Sequence, residues 1–438
     1  MSGAFLFACF LGLAGSAEVI SPGFRQVFSF ILFLTLAGSL FLYSRLDDGG
    51  FETKRVDIQG RVISERSWGR GRVVLLDSHE GRFVVHLPPS VLAREGERLS
   101  VKGLAEPLVP RPGISGFDEG TYWKARGADG ILRRASAEPV KETSIGVSWW
   151  RSLLRERILK TMPPLMRGHL LAAWLGARDP DLALRHASWG TSHLLAVSGL
   201  HVGMVVFLLF LILPVRFFRL SMASFAMWFY VLIAGVSSSA LRAGLMLQAG
   251  FVGRWIGRPL AAVNTVSVAG LLLLLWRPWF FWDLGWQLSM LAALILSSLH
   301  DLGAKKAWFL APVLLWVCTA APVSDAFGSV PVAGMAINFI AVPVFGVLLP
   351  AASILALPAL AGIPGGWLPA GAGEILFSAW AHVADLAVDL LSWKVMPSSA
   401  LSIFSVLLAA FFLLRGIGFR SFPAAAFAGG ITVCLTML

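Results

Sequence analysis

Charge is scarce in this 438-residue chain: Asp, Glu, Lys and Arg make up 14% of it, against roughly a quarter in ordinary soluble domains. Cysteine is scarcer still, with three residues (Cys9, Cys318 and Cys434), all in apolar segments and none in a Cys-x-x-Cys pair. The first shortage excludes a soluble monomeric domain and a disordered chain, and the second a disulfide-stapled secreted module. Sequence signatures of bound nucleotide and metal are missing too. There is no Gly-x-x-x-x-Gly-Lys loop, no His-Glu-x-x-His and no His-x-His among the eight histidines, so no cofactor and no metal site are expected.

What fills the chain is apolar. Hydrophobic residues make up 57% and the mean hydropathy is +0.75, which points to a polytopic membrane protein. The net charge of +11 is unevenly placed: residues 1–43 are neutral, residues 44–150 carry +2, and the apolar remainder carries +9. Gly3 to Ala17 has the length of a signal-peptide core, but no Lys or Arg precedes it. A short membrane segment is expected instead, paired through Pro22-Gly23 with Val27 to Tyr43 as an N-terminal hairpin over residues 1–43.

Between Ser44 and Gly146 the composition shifts to 32 charged residues with alternating β-type patterns. Strands are expected over Val56 to Ser64, Arg72 to Asp77, Arg82 to Leu87, Arg98 to Leu104 and Gly130 to Ala135, with a hairpin loop at Ser78-His79-Glu80-Gly81 and one helix over Asp118 to Arg126. Five short strands and one helix suggest a small inserted barrel of the oligonucleotide-binding (OB) type over residues 44–146. Residues 147–163 follow as an amphipathic helix, with Trp149, Trp150, Leu153, Leu154, Ile158 and Leu159 on one face and four cations largely on the other. Such a helix suits the bilayer interface, or packing of one face on the barrel.

Residues 164–438 alternate apolar runs with short charged or Pro/Gly-rich joints. Spans are expected over 165–177, 202–215, 222–237, 241–253, 260–276, 284–299, 307–321, 330–349, 375–391, 403–414 and 422–438. Several are shorter than the roughly 20 residues of a bilayer crossing, so some are broken, tilted or shielded by protein. The fold class is therefore a polytopic α-helical membrane protein of about 10–12 membrane segments, some broken or re-entrant, with an inserted OB-like barrel. The six prolines between Pro331 and Pro369 suggest a discontinuous helix followed by a re-entrant piece. Lys and Arg are retained on the cytoplasmic side, which puts Arg216/Arg219, Arg254/Arg258, Lys305/Lys306 and Arg415/Arg420 there and Asp283 and Asp325 outside.

The segment Thr191 to Gly203 sets His193, Ser198 and His201 among apolar residues, which is costly unless they meet a polar cavity or each other. A metal site is poorly served, because eight residues separate the imidazoles by about 12 Å on one continuous helix. Ser198 and His201, three apart, could act as nucleophile and base with Asp283 orienting the ring, the arrangement of an intramembrane serine-type hydrolase. Alternatively Ser198-Gly199 permits close helix packing while the imidazoles bond between helices. Arg242, Asp283, Gln287 and Asn338 add polar groups on other apolar segments, where each could be an anchor, a donor or a cap. Such residues on several bundle helices commonly mark a substrate pathway. The cationic surplus and 17 tryptophans suit a polyanion, although interfacial Lys, Arg and Trp give the same statistics in any membrane protein.

"HLLAVSGLHVG", His193 to Gly203, resembles the signature of the ComEC family of competence DNA-uptake channels. Weaker matches are "LRAGLM" (Leu241 to Met246), "DLGWQLSMLA" (Asp283 to Ala292), "NFIAVPVFGVLLP" (Asn338 to Pro350) and "PGISGFDEGTYWKARGADG" (Pro112 to Gly130). The resemblance implies a multi-pass protein of the bacterial inner membrane that passes single-stranded DNA into the cytoplasm, with the OB-like domain on the extracytoplasmic side. It makes His193, Ser198, Gly199, His201, Arg242, Asp283, Gln287 and Asn338 the candidate pathway or gate residues, with no catalytic role. Arg61, Arg66, Arg70 and Arg72 form a candidate DNA-binding stripe on the soluble domain. Many family members also carry a metallo-β-lactamase-like domain. This sequence has no His-x-His-x-Asp motif, so no nuclease activity is expected of it, and separate receptor, nuclease and motor proteins are expected as partners beside membrane lipids. Transport of another anionic polymer or of a lipid is a further alternative.

Overall fold

The computed structural model describes residues 53–68, 71–88, 91, 93–111, 116–143, 146–212, 219–257, 262–299 and 304–416, with the single positions 38 and 428. Apart from those two positions, the N-terminal hairpin and the last apolar segment lie outside the described residues. So do Cys9, Cys434, Arg70, Arg216, Arg258 and Arg420. Cys318 is buried as a free thiol.

Five strands, β1 (Lys54–Trp68), β2 (Gly71–Ser78), β3 (Gly81–Leu87), β4 (Glu97–Pro107) and β5 (Gly130–Thr143), close a barrel in the order β1-β2-β3-β5-β4. β1 closes it by pairing with β4 through its first half and with β2 through its second, bending at an irregularity between Val62 and Ser64. Gly60 stands at the changeover, where a Cβ would lie 2.7 Å from the Asp77 carbonyl oxygen. Successive side chains of a strand point to opposite faces, and the unbroken apolar run Val73 to Leu76 uses both. Val74 and Leu76 enter the barrel interior with Val62, Phe83 and Leu99. Val73 and Leu75 pack outside it against Trp123.

Trp123 belongs to α1 (Glu119–Ala125), inserted between β4 and β5. Asp118 caps it, accepting from the backbone N–H groups of Gly120 and Thr121, and also accepts from the N–H of Arg111. Capping satisfies donors that the first turn cannot pair internally.

α2 (Val147–Thr161) joins barrel to bundle. Two of its cations engage the barrel: Arg151 pairs with Glu95 at 2.7 Å, and Arg155 with Glu65 at 2.6 Å. Trp150 and Leu159 stay exposed.

The remaining helices are α3 (Pro164–Leu175), α4 (Pro180–Trp189), α5 (Gly199–Ile212), α6 (Arg219–Ile233), α7 (Ser238–Trp255), α8 (Ala262–Trp276), α9 (Leu284–Ser298), α10 (Ala304–Phe327), α11 (Ala333–Leu360), α12 (Trp367–Leu390) and α13 (Ser399–Gly416). They pack around two apolar cores, one built mainly from α5 to α10 with α13, the other from α2, α3, α4, α11 and α12. Among the described residues two helices, Lys306–Phe327 and Ala333–Leu360, are long and apolar enough to cross a membrane, and five further apolar helices are shorter.

Two expectations change here. The discontinuous helix expected after Pro331 is one continuous helix, α11, despite Pro343, Pro350 and Pro358. Proline removes one donor and favours a bend, but neighbouring segments make such residues tolerable in apolar helices. α4, in turn, occupies what the sequence suggested was a charged joint.

Candidate functional site

The segment from Thr191 to Gly203 carries the chain from one core to the other. α4 ends at Gly190 in the left-handed conformation (φ +70°), and a short 3-10 turn over Ser192–Leu194 leads to α5. Leu194 is buried in the α3–α11–α12 core and Val197 in the α5–α10 core. The chain is therefore not one helix here: His193 lies on the turn, exposed, and His201 lies buried in the first turn of α5. The two imidazoles are within Coulombic reach of each other.

Ser198 immediately precedes α5. His201 Nδ1 accepts from the Ser198 backbone N–H at 3.3 Å, and the Ser198 hydroxyl stands 3.1 Å from the same nitrogen. The imidazole here takes the part that a Glu or Gln side chain plays at the third position of a capping box. An accepting Nδ1 puts the ring proton on Nε2, which is buried and has no partner among the described residues. Asp283 does not orient the ring. It caps α9 through the Trp286 N–H (3.0 Å), accepts from the Ser238 hydroxyl (2.9 Å) and from Arg126 Nη1 of the barrel domain (3.3 Å). The serine and its imidazole thus lack the third group that a nucleophilic triad uses.

Arg242 lies one turn into α7 and is 8% exposed. Nε donates to Ser289 Oγ at 2.8 Å, Nη1 lies 3.2 Å from Met246 Sδ, and Ser239 Oγ completes a neutral cluster 3.1 Å from Ser289 Oγ. Among the described residues no carboxylate comes within 4.0 Å of this guanidinium. A methyl group at Gly199 would stand 3.9 Å from Arg242 Nη2 and 3.6 Å from the Ala243 Cβ, both ordinary contacts. The glycine is thus not needed for close helix packing, and the guanidinium sits beside the N-terminus of α5, itself a partial positive charge. Ser237 Oγ donates to the Val197 carbonyl at 3.4 Å and ties the two segments together.

Other candidates are engaged locally. Gln287 donates to the Phe281 carbonyl at 2.8 Å. Asn338 donates to the Gly190 carbonyl at 3.4 Å, while its Oδ1 is buried without a partner. The arginines of the soluble domain do not form one stripe. Arg61 is tucked toward Gly146, Arg72 is paired with Glu65 at 2.8 Å, and Arg66 donates to the Tyr122 hydroxyl at 2.6 Å.

Sequence reasoning missed a second histidine pair. His169 on α3 and His186 on α4 meet Nε2 to Nε2 at 3.2 Å, and the His169 ring stacks on Phe377 with centroids 3.9 Å apart. His169 Nδ1 donates to the Leu165 carbonyl at 2.7 Å, and the Thr191 hydroxyl donates to His186 Nδ1 at 2.9 Å. All these bonds are satisfied with both rings neutral. The rule that singles out ionisable residues in apolar segments would have found His169, within the span expected over 165–177, but not His186, which lies in the segment read as a charged joint.

A closed barrel joined to an apolar helical bundle, with polar groups gathered where two cores meet, defines a helical membrane protein bearing a β-barrel domain. The family model described as competence protein matches residues 176–419, more than half of the sequence, and the chain belongs to that family. It is 27% identical over 301 residues to ComE operon protein 3 of Bacillus subtilis, an alignment that takes in 63% of this chain and 37% of that protein. The chain thus spans little more than a third of that relative's length. No solved structure matches significantly.

Proposed function

We propose that this chain forms the inner-membrane path along which single-stranded DNA passes into the cytoplasm during natural transformation, with the barrel on the extracytoplasmic side. The observation that carries the reading is Arg242: a buried guanidinium with neutral partners only, beside a helix N-terminus, at the seam of two helical cores. Burying a cation without a counter-charge is costly, and a passing phosphate relieves it. Ser198, His201 and Asp283 lie around the same end of the bundle, so the path runs between the cores there, with His193, Gly199, Gln287 and Asn338 as its further candidate residues.

Membership in the competence family supports this reading. Membrane insertion is supported by exposed apolar side chains on the bundle helices, among them Phe225, Phe229, Val347, Ile354 and Leu386, which lipid would cover. Orientation follows from charge. Asp283 bonds the barrel domain through Arg126, and the Asp325 carbonyl accepts from the Gly116 N–H, so both acids lie toward the barrel. Lys306 is 19 residues before Asp325 on α10, about 28 Å along the axis, and Arg254 is at the far end of α7 from Ser238. Cations away from the barrel make that end cytoplasmic. Separate proteins are expected to deliver the DNA, degrade the other strand and pull the transported one.

The test is cytoplasmic uptake of labelled DNA by cells whose own copy is replaced by wild type, Arg242→Gln or Arg242→Lys, with membrane levels matched. Wild type restores uptake, Gln abolishes it and Lys retains part. Equal uptake by all three, or by the uncomplemented deletion, overturns the reading. Ser198→Ala in the same assay separates a path, which keeps most activity without the hydroxyl, from an intramembrane hydrolase, which keeps none.

A further inference from the structure

An α-helix leaves the N–H groups of its first turn without internal acceptors. At α5 the outermost of these are already used: the Val202 N–H donates to the Ser198 carbonyl at 3.2 Å, and the Ser198 N–H to His201 Nδ1 at 3.3 Å. The N–H groups of Gly199, Leu200 and His201 lie between them, and among the described residues nothing accepts from these three. Ser198, Gly199 and Leu200 are each only partly buried, so the turn is open to a small group, and the glycine adds no side chain over it.

Arg242 faces this turn from α7 and is 8% exposed. Its Nε is held by Ser289 and its Nη1 lies against Met246 Sδ. Nη2 is left without an acceptor among the described residues, and it is the guanidinium atom that a methyl on Gly199 would approach, at 3.9 Å. Asp283, at the same end of the bundle, is taken up by the Ser238 hydroxyl, the Trp286 N–H and Arg126. A buried guanidinium with one free nitrogen and a helix N-terminus with three free donors therefore share one small space. Both are positive there, so each raises the cost of burying the other until an anion lies between them.

Helix N-terminal N–H groups bind phosphate, and a guanidinium makes short, charge-assisted bonds to its oxygens. A non-bridging phosphodiester oxygen accepts from two sides and carries the charge. It is also the same at every nucleotide, so a contact to it holds a strand without reading its sequence.

We propose that Arg242 Nη2 and the free N–H groups at the start of α5 form a seat for one phosphodiester group of a single strand, and that Gly199 keeps the seat open. The seat rests on the reading of the chain as a path for single-stranded DNA and names the group of the strand that is held and the second half of its binding site. It also gives Gly199 a role that packing does not. The protein around the glycine accommodates a methyl, but the Cβ of a helical residue tilts toward the helix N-terminus, over the donors. Gly203, one turn further along α5, has nothing within 4 Å of an added methyl and lies beyond those donors.

The test compares Gly199→Ala with Gly203→Ala in the full chain. Alanine favours a helix over glycine, so both variants melt at or above the wild-type temperature. In nanodiscs of neutral lipid, wild type and Gly203→Ala bind a fluorescent oligothymidylate equally. Gly199→Ala weakens binding about tenfold and leaves the slope of log K against log salt unchanged, because no cation is lost. Arg242→Gln weakens binding and lowers that slope by about 0.7. In the uptake assay Gly203→Ala restores transport and Gly199→Ala does not. Binding and uptake that Gly199→Ala leaves at the wild-type level overturn the seat, while the response of uptake to Arg242→Gln decides the path separately. Absence of oligothymidylate binding by wild type, or a loss of thermal stability in Gly199→Ala that matches its loss of binding, also overturns the seat. Binding that is sensitive to Gly199→Ala, in a protein that gives no more uptake than the deletion, keeps the seat and removes the path.

Discussion

Replacing Gly190 by Ala tests whether the contact that seats the signature segment is as close as the geometry indicates. Gly190 is left-handed at φ +70°, and an added methyl would stand 2.7 Å from the Gly334 Cα and 3.1 Å from Pro331 Cγ. The left-handed conformation costs a non-glycine residue about 1 kcal/mol, and the overpacking about 1–3 kcal/mol more, because the start of α11 must retreat by about 1 Å to restore ordinary contact. Gly362 supplies the control. Its φ is +75° but nothing lies within 4 Å of its added methyl, so Gly362→Ala bears the conformational cost alone, about 1 kcal/mol. For a cooperative unit of this size 1 kcal/mol moves the melting temperature by about 1 °C. Gly190→Ala should therefore lower it by about 2–4 °C and the control by about 1 °C, read by thermal unfolding of the two variants side by side in one detergent. Amide exchange should rise over Thr191 to Val202 in the Gly190 variant only. Equal losses in the two variants would refute the close contact between Gly190 and the start of α11.

Arg151 and Glu95, side chains only 11% and 10% exposed, also bind barrel to bundle, since Arg151 donates in addition to the carbonyls of Leu175 and Ile233. Arg151→Met strands a buried carboxylate and should cost about 3–5 kcal/mol, with part of the loss recovered in Arg151→Met/Glu95→Gln; thermal unfolding of the four-member cycle checks it, and strict additivity would count against a coupled pair. Asp118 gives a pH dependence. Burial works to raise its pKa, but the Thr121 hydroxyl and the N–H groups of Arg111, Thr121 and Gly120 outweigh that and hold it below the ordinary carboxylate value. A depressed folded-state pKa contributes stability that is present above the unfolded value near 4 and lost as the pH falls through the folded one. Asp118→Ala should cost about 1 kcal/mol at neutral pH, and the gap to wild type should narrow in a denaturant titration as the pH falls from the unfolded value through the lower folded one; a gap independent of pH would show that the carboxylate charge is not what caps α1.

The barrel was legible because its strands are short apolar or alternating runs bounded by turn residues, and its helix because Asp118 announces the cap. The spans were legible as apolar runs, but α11 was not legible as one helix, since its three prolines each argue locally for a break and only the packed neighbours argue against. α4 announced itself through Asp179 and Pro180, a cap followed by proline at the first turn. Its charge density nonetheless suggested a joint, and the buried face of Leu182, His186 and Trp189 is narrow. At the site, Ser198 and His201 were legible as neighbours, being three residues apart. That they meet as a cap rather than along one helical face depends on the chain breaking at Ser198, which the apolar pattern does not mark. The His169–His186 pair and the arginines around Tyr122 come from elements far apart in sequence, so only the tertiary fold brings them together.

The near-neutral balance of residues 44–150 argues against nucleic-acid binding only if the domain is weighed alone. Strong non-specific binders are basic over the face they present, and the face presented by a docked domain is not the sum of its residues. Here α2, itself cationic, takes up Glu65 and Glu95 of the barrel, and Asp283 of the bundle takes Arg126. Docking therefore withdraws carboxylates from the barrel's exposed surface while leaving Arg66 on the Tyr122 hydroxyl. Local charge at the joint is positive although the domain's total is close to zero. The same reasoning applies deeper in the bundle, where Arg242 has neutral partners only. Among the described residues, cations without a carboxylate within 4.0 Å recur at the joint and at the seam below it, both toward the end of the bundle that carries the barrel.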